Sequence, residues 1–194
     1  MKKTVILLVL AVLGAQASRA ADLIVDITGV GGAYMSIQSA IDAATAGDRI
    51  LVYPNATHYS ETLSINKGVE ITTATEGEYF KLSGSVTVNT SNTLPADAEI
   101  TLSSINFLSG SVSYSYGGSG AQINIVGCKF NSGSIAFNTT GYNLNVANDS
   151  LMSGYVYFRV GKVIGNYIDA TTTGAFAVYE GTDNTLTSDE PNYI

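Results

Sequence analysis

One short pattern recurs along this chain: a small residue, a glycine, one further residue, then a β-branched or aromatic one. It reads Leu82-Ser83-Gly84-Ser85-Val86, then Leu108-Ser109-Gly110-Ser111-Val112, Asn131-Ser132-Gly133-Ser134-Ile135 and Met152-Ser153-Gly154-Tyr155-Val156. A weaker copy is Thr172-Thr173-Gly174-Ala175-Phe176, and the glycines stand 26, 23, 21 and 20 residues apart. Short alternating segments flank each glycine. Cys128 and Phe130 alternate before Gly133, Ile135 and Phe137 after it, and Ile123 and Ile125 supply a further strand. Ile105, Phe107, Val112 and Tyr114 repeat this arrangement one copy earlier. A unit this small cannot bury an apolar face alone, so stacked units must share one long core, which is a β-solenoid. The glycines mark corners that need backbone angles other residues avoid. A β-sandwich also uses many short strands but requires no regular period.

The composition agrees. Charged residues are 13% of the 194, against roughly 25% in a typical globular chain. Ser, Thr, Asn and Gly at stacked corners take the place of Lys and Glu. The formal net charge of −7 argues against a nucleic-acid partner, which needs clustered Lys and Arg. A single cysteine excludes an internal disulfide and a cysteine-based zinc site.

The first twenty residues stand apart. Lys2 and Lys3 precede an apolar run from Val5 to Leu13, and Ala17-Ser18-Arg19-Ala20 offers small residues at the two positions that direct cleavage. These parts make 1–20 a secretory signal peptide cut after Ala20. The apolar run is too short for a membrane span, which takes about 20 residues. The expected location is therefore secreted, periplasmic or at the cell surface. The mature chain keeps 6 basic residues against 16 acidic ones, a net charge of −10.

Residues 21–59 read as a strand over Leu23 to Ile27, a helix, and a strand from Arg49 to Tyr53. Ser36 is the expected N-cap and Gly47 the expected left-handed C-cap. Ile37, Ala40, Ile41 and Ala44 form one apolar stripe, suited to covering the open end of a β core. Residues 60–180 then supply five or six coils, and 181–194 a polar tail or partial cap. An end left uncovered would expose sheet edges and favour end-to-end self-association.

The stretch Tyr34-Met35-Ser36-Ile37-Gln38-Ser39-Ala40-Ile41-Asp42-Ala43-Ala44, with Gly47-Asp48-Arg49-Ile50-Leu51-Val52-Tyr53-Pro54, resembles the opening segment of pectin-lyase-like right-handed parallel β-helix proteins. Tyr59-Ser60-Glu61-Thr62-Leu63-Ser64-Ile65-Asn66-Lys67-Gly68-Val69-Glu70-Ile71 is similar to their first coil. The resemblance covers about 40 residues closely. It implies an all-β, right-handed parallel β-helix with an N-terminal capping α-helix. It implies no single activity, because one fold hosts many.

Two enzymatic readings follow from it. Pectinesterase-type relatives are implied to use two aspartates, an arginine and glutamines on neighbouring coils. Those motifs lie well beyond the opening segment and are not matched here; the candidates are Asp149 and Asp169 with Arg159, and Gln122 is the one glutamine beyond position 100. Asp149 and Asp169 lie one period apart, each five residues before its repeat glycine. That spacing suits paired carboxylates, and it equally suits two polar turn residues or rungs of an asparagine-like ladder. Polysaccharide-lyase-type relatives are implied to bind calcium through clustered carboxylates, and this chain has no such cluster, so neither a metal nor another cofactor is expected. His58 follows Pro54 in a loop without a partner in sequence, and Cys128 shares the inward phase of Phe130.

A surface alternative comes from strand alternation. With Val156 and Phe158 inward, Tyr155, Tyr157 and Arg159 point outward. Aligning the repeat glycines places Asn138, Arg159 and Tyr179 in one outward column and Ala136, Tyr157 and Ala177 in the next. Exposed tyrosines can stack on sugar rings, and an arginine beside them can pair with a uronate or sulfate. Ordinary cross-strand tyrosine packing uses the same arrangement. Clusters at Thr72, Thr73, Thr75 and Thr171 to Thr173 do not form the regular rank that ice binding needs. The expectation is an exported β-helix with a non-catalytic surface or glycan-contact role, its partner a polysaccharide or cell-surface glycan. The alternative is a carbohydrate-active enzyme of the pectinesterase or polysaccharide-lyase type, or a shortened, inactive relative of one.

Overall fold

A computed structural model describes residues 20–118, 120–168 and 178–180, with Ile168 and 178–180 described by their backbone. The chain winds as a parallel β-solenoid of about six turns, built on three sheets. The long face holds Asp22–Val25, Arg49–Val52, Glu70–Thr73, Glu99–Ser103, Ala121–Val126, Tyr142–Ala147 and Gly161–Ile164. The second face holds Phe80–Ser83, Ile105–Ser109, Lys129–Phe130, Ser150–Leu151 and Tyr167–Ile168. The third holds Leu63–Ile65, Val86–Val88, Val112–Tyr114, Ile135–Phe137, Val156–Phe158 and Val178–Glu180. From Glu70 onward, the chain visits the faces in that order before returning one coil further along, and neighbouring strands within a face are parallel.

Register turns the sequence period into continuous columns. Ile71, Leu102, Ile125, Val146 and Val163 stack inside the long face. Leu82, Phe107, Phe130 and Leu151 stack inside the second, where the Phe107 and Phe130 rings lie 4.5 Å apart and 8° from parallel. Leu63, Val86, Val112, Ile135 and Val156 stack inside the third. All of these are buried. Their strand neighbours point outward because successive side chains alternate.

The corner after the second face explains the recurring glycines. Gly84, Gly110, Gly133 and Gly154 have φ of +145°, +100°, +129° and +133°. Each also lies against the backbone of the coil before. A Cβ on Gly110 would strike the Gly84 carbonyl, one on Gly133 that of Gly110, and one on Gly154 that of Gly133. Neither the angle nor the space admits a side chain. Beside them runs a serine ladder: the Ser111 amide donates to Ser85 Oγ (3.2 Å) and the Ser134 amide to Ser111 Oγ (3.1 Å). Tyr155 occupies the next position of that ladder.

The helix spans Ile37–Ala43, and its stripe of Ile37, Ala40, Ile41 and the following Ala44 is buried, as expected. Ser36 is its N-cap, accepting from the Ser39 amide at 3.1 Å. The Glu61 carboxylate accepts from the Ile37 and Gln38 amides, both at 3.0 Å, and Lys67 Nζ donates to the Ala44 carbonyl at 2.7 Å. Side chains from the first coil thus hold both helix ends. The expected C-cap is corrected: the helix ends at Ala44, whose extended backbone carries its side chain into the core. Gly47, at φ +92°, instead serves the turn into Arg49–Val52, its amide donating to the Gly68 carbonyl. The first strand stops at Val25, leaving Ile27 exposed.

Candidate functional site

The catalytic candidates separate on inspection. Asp149 does not sit on a solvated turn: it is 2% exposed. Register carries the inward phase from Phe80 through Ile105 and Cys128 to Asp149 and Asn166. That column begins apolar and ends polar. Asp149 Oδ1 accepts from the Cys128 amide. The Asp149 amide donates to Asn166 Oδ1 at 2.8 Å, and Asn166 Nδ2 donates to the Val146 carbonyl at 3.0 Å. These are rungs of an asparagine-like ladder, one of the two structural alternatives the sequence left open. Among the described residues, Asp149 Oδ2 has no hydrogen-bond partner. Burial raises the Asp149 pKa from an ordinary 3.8 to about 8, and the Cys128 amide offsets this only in part. Burial, with Asp149 beside it, pushes the Cys128 thiol well above its usual range. The carboxyl is therefore shut away from any polymer substrate. Arg159 lies on the outer side of the third face, half-buried, and donates from Nε to Asn138 Oδ1 at 2.8 Å. The structure does not join it to Asp149. Asp169 lies outside the described residues.

The aromatic candidates lie on the third face. Tyr155, Tyr157 and Arg159 alternate with the buried Val156 and Phe158, on the outer side of one strand. Tyr155 is 41% exposed. Their neighbours on the preceding coil are short: Ser134 beside Tyr155, Ala136 beside Tyr157, Asn138 beside Arg159. Tyr157 and Arg159 are half-buried. Beyond Nε, the Arg159 guanidinium has no hydrogen-bond partner among the described residues. One expectation is corrected. Tyr179 pairs with Tyr157, not with Arg159, because Val178 rather than Phe176 is the partner of Val156. The last coil is offset by two residues from the glycine alignment. Two tyrosine positions therefore adjoin across coils.

A second outward surface did not emerge from the glycine-aligned repeats. On the long face, Glu99, Gln122 and Asn143 form one outward row, and Thr101, Asn124, Asn145 and Lys162 the next. The available signal was the alternation of Gln122 and Asn124 with Ile123, and of Asn143 and Asn145 with Leu144.

Other candidates fall away. His58 is exposed in a loop and Cys128 is buried. Among the described residues no group of His, Cys, Asp or Glu is placed to hold a metal ion. No described helix is long and apolar enough to cross a membrane. A hollow of about 580 Å³ lies at the N-terminal coil, lined in part by Asp22, Asp26, Val30, Tyr34 and Tyr53, and contains none of the sequence-derived candidates. No protein-family model matches the chain, and no curated protein or solved structure does so either.

Proposed function

We propose that this protein is an exported, right-handed parallel β-helix of the pectin-lyase-like kind that contacts glycans without transforming them. The observation that carries this reading is the outer surface of the third face where Tyr155, Tyr157 and Arg159 stand beside the short Ser134, Ala136 and Asn138. Ring faces stack on the C–H faces of pyranoses, and the free guanidinium nitrogens fit a uronate or sulfate in a planar, two-pronged mode. Right-handed winding follows from strand twist, which favours that hand in parallel crossovers. The helix Ile37–Ala43, packed on the first strands, acts as the N-terminal cap. Retention on an array of acidic glycans tests the function. The wild type is retained, and Tyr155→Ala, Tyr157→Ala and Arg159→Ala each lower retention about tenfold. Unchanged retention in all three removes the reading.

Export has its own support. The Ala21 amide donates to Asp48 Oδ1 at 2.8 Å, and Asp48 is 5% exposed. Its carboxylate also accepts from the Thr45 amide and hydroxyl, and the bond from Ala21 is the largest influence holding its pKa down. Cleavage after Ala20 turns that amide into an α-ammonium facing a carboxylate, a stronger, charge-assisted bond. A mature chain beginning at Ala21 is therefore more stable by about 1 kcal/mol than one carrying an extra residue before it. Urea unfolding of the two forms checks this; equal midpoints count against cleavage at Ala20.

A further inference from the structure

We infer that the open edge of the first strand binds an extended, arginine-bearing peptide segment of another protein, which adds one more strand beside Asp22–Val25. The inference is independent of the tyrosine surface and rests on the N-terminal coil. Asp22–Val25 is the end strand of the long face. Every second residue bonds to the next strand: the Arg49 amide donates to the Ala21 carbonyl, and the Tyr53 amide to the Val25 carbonyl. Asp22, Ile24 and Asp26 therefore turn their backbone groups to the open edge. Tyr34 occupies part of that edge, donating from its amide to the Ile24 carbonyl and accepting from the Asp26 amide, both at 2.9 Å. A continued ladder would bring the Gly32 carbonyl to the Ile24 amide. Instead Gly31 and Gly32, at φ +71° and +83°, turn the chain away, and the Gly32 amide bends back to the Gly29 carbonyl at 3.4 Å. The Ile24 amide and the Asp22 carbonyl are left without a hydrogen-bond partner among the described residues. Such an edge is ready to pair with a further strand. The gap is the hollow of about 580 Å³, lined in part by Leu23, Ile24, Asp26, Val30, Tyr34 and Tyr53, and it has the size of a small-ligand site.

Three features select the occupant. One peptide residue placed beside Leu23 accepts from the Ile24 amide and donates to the Asp22 carbonyl, the same exchange that Tyr34 makes two residues further along. The peptide residue after it lies beside Ile24, its side chain on the outer face with Asp22 and Asp26. The uncompensated charge on that face belongs to Asp26. Both Asp22 oxygens are held by Arg49 at 2.9 Å, which cancels that pair. Asp26 Oδ1 accepts from the Thr28 amide and hydroxyl, whereas Oδ2 has no partner among the described residues. A cation belongs beside Oδ2. Arginine suits it better than lysine, because a guanidinium also stacks on tyrosine rings such as Tyr34 and Tyr53. The exposed Val30 offers apolar surface to the arginine stem.

The test is calorimetric titration of the purified protein with a blocked five-residue peptide that has alanine third and arginine fourth. A second peptide carries citrulline in place of arginine, which keeps the shape and removes the charge. The wild type binds the arginine peptide about tenfold more tightly. Asp26→Asn keeps the acceptor for Thr28 and binds the two peptides equally, with an unchanged urea midpoint to verify folding. Methylating the alanine nitrogen removes the donor for the Asp22 carbonyl and lowers affinity about fivefold, an effect that a side-chain ion pair alone does not produce. Four results overturn the inference: no binding, equal affinity of the wild type for both peptides, a preference that survives Asp26→Asn, or a methylated peptide that binds like its parent.

Discussion

Gly133→Ala is expected to cost on the order of 4 kcal/mol, enough to unfold a marginal domain at body temperature. Two independent penalties combine. At φ +129° an alanine is strained by about 1–3 kcal/mol. Its methyl would also overlap the Gly110 carbonyl, and a backbone atom cannot rotate out of the way. Relief requires the two coils to part, which breaks the Ser111–Ser134 rung and the backbone bond from Val112 to the Ser134 carbonyl. Because each coil is stabilised only by its neighbours, the loss spreads along the stack. Ser132→Ala, one residue away and exposed, should leave the urea midpoint within about 0.5 kcal/mol of wild type. A Gly133→Ala protein as stable as the Ser132→Ala control would mean that the coils are not stacked at this corner.

Asp149→Asn is expected to reshape the pH dependence of stability. In the folded chain the carboxyl pKa is raised from 3.8 to about 8. Between those values the folded state holds a proton that the unfolded state has released. Stability therefore falls as pH rises through this window, and below it the penalty is absent. The full difference is on the order of 5 kcal/mol. Asparagine keeps the shape and the acceptor for the Cys128 amide but never ionises. The variant should match wild type near pH 4 and exceed it by several kcal/mol at pH 9, measured by urea unfolding across the range. Parallel curves for the two proteins would show that this carboxyl is solvated.

Much of the fold was legible because its causes are local. A glycine at each corner and a two-residue alternation on either side are visible in the chain itself, and they specify coils and inward columns without knowledge of distant partners. The burial of Asp149 was not legible in that way. Its spacing from Asp169 fits polar turns and paired catalysts equally. Only the pairing of Lys129 with Ser150 carries the inward phase of Cys128 across to it. Tyr179 shows the same limit, since glycine alignment assumes equal coils and the last coil is offset by two residues. The long-face amides carry no such local signal, because Gln, Asn and Glu on alternate positions look like any solvated strand. What distinguishes them is the bonding from coil to coil around Asn124.

The reading of a glycan platform rests on tyrosine rings meeting sugar C–H faces, and saturation-transfer NMR addresses that contact directly. Selective irradiation of the protein's aromatic protons, with a retained acidic oligosaccharide present, should carry saturation to the pyranose ring protons. The Tyr155→Ala, Tyr157→Ala double variant should lose most of that transfer while keeping the wild-type urea midpoint, and the oligosaccharide should be recovered chemically unchanged. Transfer of equal strength in the double variant, or an oligosaccharide returned de-esterified or cleaved, would contradict the account.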